Sequence, residues 1–394
     1  MSEKFSKNLQ LNIFLTVMIG ILGFITNKYF SEYMGMNNLG LMRLFSQLIA
    51  YLSLAEMGIG TASAYELYRP LSEKNYKRVN VVVSTIDTFY KRVALVIFCV
   101  GIILNIFLPF FIEDKLNMIN VHIYWSLYIV NTSIGYLFAK YSILFTANQE
   151  YGYVRKIQGI SKIVFQTIQV ISIVVFKSFI IYIFIMILEN IVIFYFYRKH
   201  YREDYSYVQE VTEKDLNINR DIKSLFWHKI GELVVFNTDY IILSKFTSLS
   251  IVAKYSSYFL IYRMVMTICG ILTPILIPYI GKFIVENDES KIYKYWKELY
   301  SFYMYIGTIF VFVCYKGINP FVKLWLGEEY LLPKFTVILL MINLFINITR
   351  QITEIFKEAS GYFEDIYCPI LESTINFGFS LILVQRIGLN GVII

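Results

Sequence analysis

Long apolar runs recur along this 394-residue chain, and they constrain its fold more than any other feature. About eleven of them are long enough to cross a bilayer, which takes roughly 20 residues as a helix. Backbone groups in lipid must bond to one another, so only helices and closed barrels span it, and these runs lack the alternation of barrel strands. With 57% hydrophobic and 16% charged residues, the sequence predicts an all-α polytopic membrane protein.

A polar segment divides the predicted spans into two groups. Residues 201–221 carry clustered charge and no apolar run, so we interpret them as a cytoplasmic linker. Before it lies an N-terminal transmembrane bundle of six helices, residues 1–200. After it lies a C-terminal transmembrane bundle, residues 222–394, with about five helices and the start of a sixth. The spans are expected near residues 9–30, 39–68, 93–112, 119–147, 157–176, 178–197, 222–246, 255–280, 299–315, 335–355 and 366–384, with another opening at 389.

The two halves resemble each other at an offset of about 212 residues, as in transporters built from repeats. Residues 147–151, Ala-Asn-Gln-Glu-Tyr, align with residues 359–363, Ala-Ser-Gly-Tyr-Phe. An even number of crossings separates equivalent points, so the halves should have parallel orientations. We therefore predict two six-helix bundles related by a 6+6 pseudo-repeat, and we expect the C-terminal bundle to be incomplete in this chain.

The distribution of positive charge predicts an orientation in the membrane. The net charge is +7. If the N-terminus is cytoplasmic, inner loops hold about nineteen Lys and Arg residues and outer loops about eight, in agreement with the positive-inside rule. The charge therefore reflects topology, and because no basic soluble domain is present, we expect no nucleic-acid partner.

Polar side chains inside the apolar runs are the candidates for function. A central Arg, Lys or Asp costs on the order of 2.5 to 3.5 kcal/mol on insertion scales, so such groups should face a bundle interior. Several recur at helical spacing on one face. Amides suit sugars, and guanidinium groups suit phosphate oxygens. The predicted substrate-binding residues, in a hydrated cavity between the bundles, are Arg43, Gln47, Lys162, Gln166, Gln169, Arg263, Asn347 and Arg350.

Carboxylates in the same spans are candidates for coupling to an ion or for ion pairing. An alternative interpretation is that the charges only hold the fold together, with Arg350 paired to Glu354 and Lys162 paired to Glu189. The residues alone leave both interpretations open. The coupling or ion-pair candidates are Glu232, Asp239 and Glu354.

Short segments along the whole chain resemble one family. Residues 34–41, Met-Gly-Met-Asn-Asn-Leu-Gly-Leu, and residues 54–62, Leu-Ala-Glu-Met-Gly-Ile-Gly-Thr-Ala, are similar to the opening of bacterial polysaccharide repeat-unit flippases. These are the O-antigen and capsule transporters of the MATE-like MOP superfamily. The resemblance continues at residues 239–242, 252–256, 324–327 and 388–392, and it implies a MATE-like fold.

The resemblance also implies a function and a location. A flippase of this family moves undecaprenyl-diphosphate-linked oligosaccharide repeat units from the cytoplasmic to the outer leaflet by alternating access, for lipopolysaccharide or capsule biosynthesis. The expected location is the bacterial cytoplasmic (inner) membrane, with a cytoplasmic N-terminus. The implied partners are the lipid-linked oligosaccharide, membrane lipids, and the polymerase and glycosyltransferases of the same pathway. No catalytic residue and no cofactor is expected, beyond a coupling ion such as H⁺ or Na⁺.

Two other functions fit the pattern less well, and neither a metal centre nor an ATPase is predicted. A MATE-type drug or cation antiporter would share the architecture, but cationic drugs call for an acidic cavity, whereas these polar stripes mix Lys, Arg and amides. A membrane glycan polymerase or ligase would carry a large outer loop, and the longest candidate, residues 316–334, is short. A metal centre is not predicted, because His122, His200 and His228 lack ligand spacing. The chain has no phosphate-binding glycine loop of an ATPase.

Overall fold

The computed structural model describes residues 3–53, 59–213, 238–270, 273–360 and 367–394, and within these ranges every regular element is a helix. The chain separates into two compact units, residues 1–233 and 234–394. The prediction of an all-α polytopic membrane protein is confirmed. The predicted boundary between residues 221 and 222 lies outside the described ranges.

The first unit is built from long helices that pack side by side. In its described part, α1 packs along α7, α4 along α5, and α8 against both α5 and α7. Shorter α3 and α6 pack against each other and against α4. The helices are α1 (Glu3–Met34), α2 (Met36–Leu52), α3 (Ile59–Ser72), α4 (Tyr76–Phe111), α5 (Met118–Leu137), α6 (Ala139–Ala147), α7 (Tyr151–Phe176) and α8 (Phe179–Asp204).

The second unit has the same style of packing. Its longest helices, α12 and α13, lie against each other, and α13 also contacts α10 and α11. A short 3-10 turn, Glu328–Tyr330, follows α12. The helices are α9 (Asp239–Phe246), α10 (Leu249–Cys269), α11 (Thr273–Glu286), α12 (Glu289–Leu326), α13 (Lys334–Ser360), α14 (Tyr367–Ile387) and α15 (Leu389–Ile393).

Six helices of the described residues are long and apolar enough to cross a membrane: α1, α4, α7, α8, α12 and α13. Some spans predicted as single helices are instead built from two. The predicted span 119–147 contains α5 and α6, which meet at Phe138, a residue with non-helical backbone angles (φ −116°, ψ 9°). The predicted span 39–68 includes parts of α2 and α3, and residues 54–58 between these helices lie outside the described ranges. Hydrophobicity alone does not locate such a break, because the residues at 137–139 are Leu, Phe and Ala and include neither Gly nor Pro.

The order of helices repeats between the two halves of the chain. Helices α2, α4, α5 and α7 begin at residues 36, 76, 118 and 151, whereas α10, α12, α13 and α14 begin at residues 249, 289, 334 and 367. The matching starts are about 213 to 216 residues apart, close to the offset predicted from the sequence. The internal repeat is therefore confirmed at the level of helix order.

A hydrogen bond from a buried indole fixes the contact between α4 and α5. Trp125 is fully buried, and its Nε1–H donates to the carbonyl oxygen of Gly101 at 2.7 Å. The helices approach closely at this glycine, because a Cβ atom placed there would lie 2.6 Å from Cδ1 of Ile129. Phe45 of α2 stacks edge-on against the same indole, with ring centroids 5.1 Å apart. This contact therefore requires a residue without a side chain at position 101.

The chain beyond α8 folds back onto the same unit. Tyr205 and Val208 are buried in its aromatic core. The backbone N–H of Gln209 donates to Oδ1 of Asn80 at 3.1 Å. His200, near the end of α8, lies with its two ring nitrogens 2.7 Å from carboxylate oxygens of Glu150 and Asp204. These contacts hold the start of the predicted linker against the junctions of α3 with α4 and of α6 with α7.

Nine of the nineteen Lys and Arg residues in the described part of the first unit lie at this same end. Each of them lies near the end of α3, the start of α4, the start of α7 or the end of α8. They are Arg69, Lys74, Lys77, Arg78, Arg155, Lys156, Arg198, Lys199 and Arg202. The opposite helix ends carry Lys115 and Lys177. We call the cation-rich side the basic end. The positive-inside rule predicts that it faces the cytoplasm.

We expect Gly101→Ala to destabilise the protein and Gly135→Ala to leave it unchanged or slightly more stable. At position 101 the new methyl group overlaps the side chain of Ile129, and overpacking typically costs about 1 to 3 kcal/mol. At position 135 no neighbouring atom lies within 4 Å, so only the higher helix propensity of Ala acts, about 0.5 to 1 kcal/mol. The thermal unfolding midpoint in detergent measures both effects. Equal midpoints for the two variants would contradict the close contact.

Candidate functional site

Polar side chains, most of them buried, meet in the first unit where α1, α2, α7 and α8 come together. They form a connected series in which each helix contributes a partner to the next one. We call this group the polar cluster, and its members are Thr26 and Asn27 of α1, Arg43 and Gln47 of α2, Lys162, Gln166 and Gln169 of α7, and Tyr182 and Glu189 of α8.

Arg43 is the cation of the polar cluster for which the described residues supply no acidic partner. One terminal nitrogen of its guanidinium donates to Oδ1 of Asn27 at 2.7 Å. Its Nε is buried and has no hydrogen-bond partner among the described residues. No carboxylate oxygen in the described part of the chain lies within 4 Å of the guanidinium.

The amides of the polar cluster connect α7 to its neighbours. Nε2 of Gln166 donates to Oγ1 of Thr26 at 3.2 Å, while Oε1 of Gln166 is buried and finds no partner among the residues that the structure describes. Nε2 of Gln169 donates to the backbone oxygen of Tyr182 at 3.4 Å. Gln47 is also buried, one helical turn after Arg43. A buried amide oxygen without a partner costs about 1 to 3 kcal/mol, so the Gln166 oxygen is a ready acceptor for a hydroxyl or a water molecule.

Lys162 and Glu189 form the ion pair of the polar cluster. Nζ of Lys162 lies 3.4 Å from Oε2 of Glu189, and the side chains are 39% and 11% exposed. This pair joins α7 to α8. The interpretation that Lys162 pairs with Glu189 is therefore confirmed, and in this arrangement Glu189 neutralises the lysine.

Arg350 in the second unit is neutralised on two sides. Its Nε donates to Glu354 one turn along α13 at 3.0 Å, and its two terminal nitrogens donate to Glu372 of α14 at 2.7 and 3.1 Å. The pairing of Arg350 with Glu354 is confirmed. The second carboxylate forms a two-pronged contact that joins α13 to α14.

The other polar candidates of the second unit lie in different surroundings. Arg263 is exposed, and its guanidinium carbon lies 4.9 Å from the ring centroid of Phe259. Asn347 donates to the backbone oxygen of Asn343, which also accepts a hydrogen bond from the hydroxyl of Tyr262.

Asp239 at the start of α9 contacts a tyrosine and no cation within the described part of the chain. Its Oδ2 accepts a hydrogen bond from the hydroxyl of Tyr255 at 2.8 Å. Glu232 and His228, the other polar residues predicted on this segment, lie outside the described residues. The arrangement leaves Asp239 as a partly buried carboxylate whose negative charge is stabilised by one hydroxyl donor.

The structure distributes the predicted residues over the two units. The five candidates of α2 and α7, which are Arg43, Gln47, Lys162, Gln166 and Gln169, belong to the polar cluster of the first unit. The candidates Arg263, Asn347, Arg350, Asp239 and Glu354 belong to the second unit. A single cavity lined by both groups stays a prediction.

Three partners in these contacts were not predicted from the sequence. Asn27 and Thr26 bind the candidates Arg43 and Gln166, and Glu372 binds Arg350. A weak signal exists for Asn27, because Asn27 and Ser31 are polar, buried and one turn apart on α1. Glu372 gives no such signal, since its partner is 22 residues away on another helix.

The side chains of these groups are suited to binding a ligand. The polar cluster offers a guanidinium, amides and hydroxyls that bind anionic and hydroxylated ligands. Within the described part of the chain, no set of three or more His, Cys, Asp or Glu side chains is placed to hold a metal ion.

No protein-family profile matches the sequence, and no curated protein matches it significantly. Solved structures do resemble the fold. An inward-facing multidrug resistance MATE family transporter of the MOP superfamily aligns with a TM-score of 0.75 at 12% identity, over 97% of this chain and 92% of that one. The lipid II flippase MurJ, in an inward closed conformation, aligns with a TM-score of 0.70 at 14% identity, over 97% of this chain and 83% of that one. A MATE transporter of Vibrio cholerae aligns with a TM-score of 0.56 at 15% identity, over 100% and 93%. The chain has the multi-pass fold shared by MATE transporters and the MurJ flippase.

Proposed function

We propose that this protein is a flippase that carries undecaprenyl-diphosphate-linked oligosaccharide repeat units from the cytoplasmic to the outer leaflet by alternating access. The observation that carries the proposal is Arg43, a cation in the interior of a membrane-embedded unit that is held by the amide of Asn27 and by no described carboxylate. Such a charge is costly in lipid unless it has a partner. A diphosphate headgroup supplies that partner in the form that a guanidinium binds best.

The surroundings of Arg43 support a cargo that also carries sugars. Gln166 offers a buried oxygen that no described residue pairs, and Gln47 and Gln169 lie on α2 and α7, the helices of Arg43 and Lys162. Amides both donate and accept, as sugar hydroxyls require. The similar fold of the lipid II flippase MurJ is consistent with a lipid-borne cargo. The proposed substrate-binding residues are those predicted from the sequence, with Arg43 ranked first.

A second candidate is export of cationic drugs, because similar folds belong to multidrug resistance MATE transporters. The observation that favours it is Asp239, which contacts the hydroxyl of Tyr255 and no described cation. Such a carboxylate binds a cation or a proton, and in the flippase proposal it is a coupling site for H⁺ or Na⁺. Uptake of ethidium into proteoliposomes separates the candidates. Ethidium transport without transport of lipid-linked oligosaccharide would favour the antiporter.

We expect Arg43→Gln to reduce flipping of a fluorescent undecaprenyl-diphosphate-linked oligosaccharide in proteoliposomes by at least about tenfold. The reason is the loss of charged hydrogen bonds to the headgroup, each worth about 1.5 to 3 kcal/mol. Arg43→Lys should give an intermediate rate, because lysine keeps the charge and loses the planar fork.

The control for this prediction is Arg92→Gln, which removes the same charge from an exposed position on α4. It should flip the cargo at the wild-type rate. Unfolding midpoints of all variants are measured alongside, because a structural role of Arg43 would lower stability and flipping together. Wild-type flipping by Arg43→Gln would contradict the proposed role of Arg43.

A double-mutant cycle decides whether Lys162 serves the fold or the cargo. We expect Lys162→Met and Glu189→Met each to lower the unfolding midpoint, because each leaves a partly buried charge without its partner. The double variant should recover most of the stability, since an apolar pair replaces the ion pair. If Lys162 also binds the cargo, the stable double variant still flips poorly. If it flips normally, Lys162 is a structural residue.

The matched control for this cycle is the exposed pair of Lys199 and Glu203, one turn apart on α8, with atoms 4.0 Å apart and side chains 58% and 60% exposed. Its coupling energy should be below about 1 kcal/mol, as for other exposed pairs. A larger coupling in this control than in the pair of Lys162 and Glu189 would contradict the burial argument.

We expect an inside-negative membrane potential to accelerate flipping. Each negative charge that moves outward gains about 2.3 kcal/mol per 100 mV. Flipping is measured in proteoliposomes with a potassium diffusion potential set by valinomycin, and a sodium or proton gradient is varied separately. A rate that is indifferent to the potential and to both gradients would contradict this driving force.

A further inference from the structure

A cleft of about 460 Å³ opens at the junction of α3 and α4, at the basic end of the first unit. Its volume lies within the usual range for small-molecule sites, roughly 300 to 1,000 Å³. None of the residues that form it is among the predicted substrate-binding residues. The side chains that matter here are those of Tyr65, Glu66, Tyr68, Arg69, Glu73 and Arg78.

Two exposed tyrosines line one side of the cleft. Tyr65 is 72% exposed and Tyr68 is 50% exposed, and their rings meet edge to face with centroids 6.2 Å apart. Aromatic rings of this size are usually buried in part, and they carry negative faces. The axial C–H groups on one face of a sugar ring are weakly positive and apolar, so they pack well on such a face. The tyrosines therefore offer a stacking surface with a hydroxyl at its edge.

The cleft contains two positive and two negative side chains, and each positive side chain lies next to a negative one. Nε of Arg69 lies 2.8 Å from Oε1 of Glu73, and a terminal nitrogen of Arg78 lies 3.7 Å from Oε2 of Glu66. Two positive and two negative groups leave the cleft neutral. A phosphate would meet the two carboxylates as well as the guanidinium groups, whereas a neutral ligand with many hydroxyls can donate to the carboxylates and accept from the guanidinium groups.

The backbone at this corner is held in one conformation. Lys74 adopts a left-handed conformation (φ 53°) at the end of α3, and the N–H of Asn75 donates to the carbonyl oxygen of Pro70 at 2.9 Å. Oδ1 of Asn75 then accepts from the N–H of Arg78 at 3.1 Å and begins α4. The first of these bonds ends α3, and the second caps the N-terminus of α4. The cleft residues on the two helices are thus positioned before any ligand binds, which lowers the entropic cost of binding.

We propose that this cleft is a sugar-binding site that receives the oligosaccharide of the cargo on the side where it is loaded. The inference rests on the proposed function for the identity of the cargo and on the basic end being cytoplasmic. The ligand class follows from the side chains of the cleft alone. It is a neutral pyranose or a short oligosaccharide that packs on Tyr65 and Tyr68. Hydroxyl contacts to Glu66, Glu73 and the two arginines fix its orientation.

The test is binding of free sugars to the full chain in a detergent without a sugar headgroup, such as lauryldimethylamine oxide. Saturation-transfer difference NMR with a panel of galactose, glucose, rhamnose and N-acetylglucosamine oligomers reports contact with the aromatic rings. We expect at least one sugar to bind, and Tyr65→Ala and Tyr68→Ala to weaken its binding by about tenfold each.

The matched control is Tyr195→Ala on α8. Tyr195 is 62% exposed and meets Phe196 edge to face at 5.6 Å, so it has the same exposure and aromatic geometry outside the cleft. Sugar binding by this variant should equal that of the wild type. Sugar binding that is equally strong in all three tyrosine variants, or absent from the wild type for the whole panel, would overturn the proposal.

Inorganic pyrophosphate is the second probe. We expect its binding to be unchanged by Tyr65→Ala and by Arg78→Gln. Pyrophosphate binding that disappears in Arg78→Gln, with no sugar bound in the wild type, would make the cleft an anion site and overturn the sugar assignment.

The proposal and the proposed function fail in different ways. Sugar binding at the cleft without flipping of any lipid-linked oligosaccharide would support the sugar site and contradict the flippase function. Normal flipping and normal sugar binding by a folded Tyr65→Ala, Tyr68→Ala double variant would support the flippase function and contradict the sugar site. The unfolding midpoint of the double variant confirms that it is folded, and both residues are exposed enough to make a large loss of stability unexpected.

Discussion

The constraint on which the rest of this structure depends is the absence of water around the spanning helices. In lipid a polar side chain must find its partner inside the protein, and a charge without one is costly. The described part of the chain meets this constraint for Lys162 with Glu189, and for Arg350 with Glu354 and Glu372. These contacts join α7 to α8 and α13 to α14, so they stabilise the packing of neighbouring helices in each unit.

Arg43 meets the constraint in a different way. Within the described part of the chain, its guanidinium donates to the neutral amide oxygen of Asn27, and its buried Nε has no hydrogen-bond partner. A purely structural arginine is expected to have a carboxylate partner, as Arg350 does, because removing one partner of a buried ion pair is strongly destabilising. Arg263 also has no described carboxylate partner, but it is exposed, whereas Nε of Arg43 is buried. The proposed function therefore ranks Arg43 first among the candidate anion-binding residues.

Sequence patterns predicted the parts of the structure that depend on local chemistry. The length and apolarity of the runs predicted helices, and the offset of about 212 residues predicted the repeated helix order. The helical spacing of Lys162, Gln166 and Gln169 predicted a shared polar face on α7, and the structure places all three in one cluster. The break at Phe138 was missed because a run of apolar residues carries no signal for a change of direction that tertiary packing imposes.

Sequence patterns could not predict contacts between helices that are distant in the sequence. Asn27 lies 16 residues from Arg43, and Thr26 lies 140 residues from Gln166, so only the packing of α1 against α2 and α7 selects these partners. The same holds for the cleft at α3 and α4. Its tyrosines were indistinguishable in the sequence from the many that lie at membrane interfaces, because what sets them apart is exposure beside two matched ion pairs.

The two sites of the first unit differ in charge balance, and the proposed function accounts for this difference with a cargo made of two chemically distinct parts. The side chains that line the cleft beside Tyr65 and Tyr68 include equal numbers of positive and negative groups. The polar cluster contains one cation, Arg43, that no described carboxylate neutralises. Under the proposed function, neutral sugars match the first site and a diphosphate matches the second.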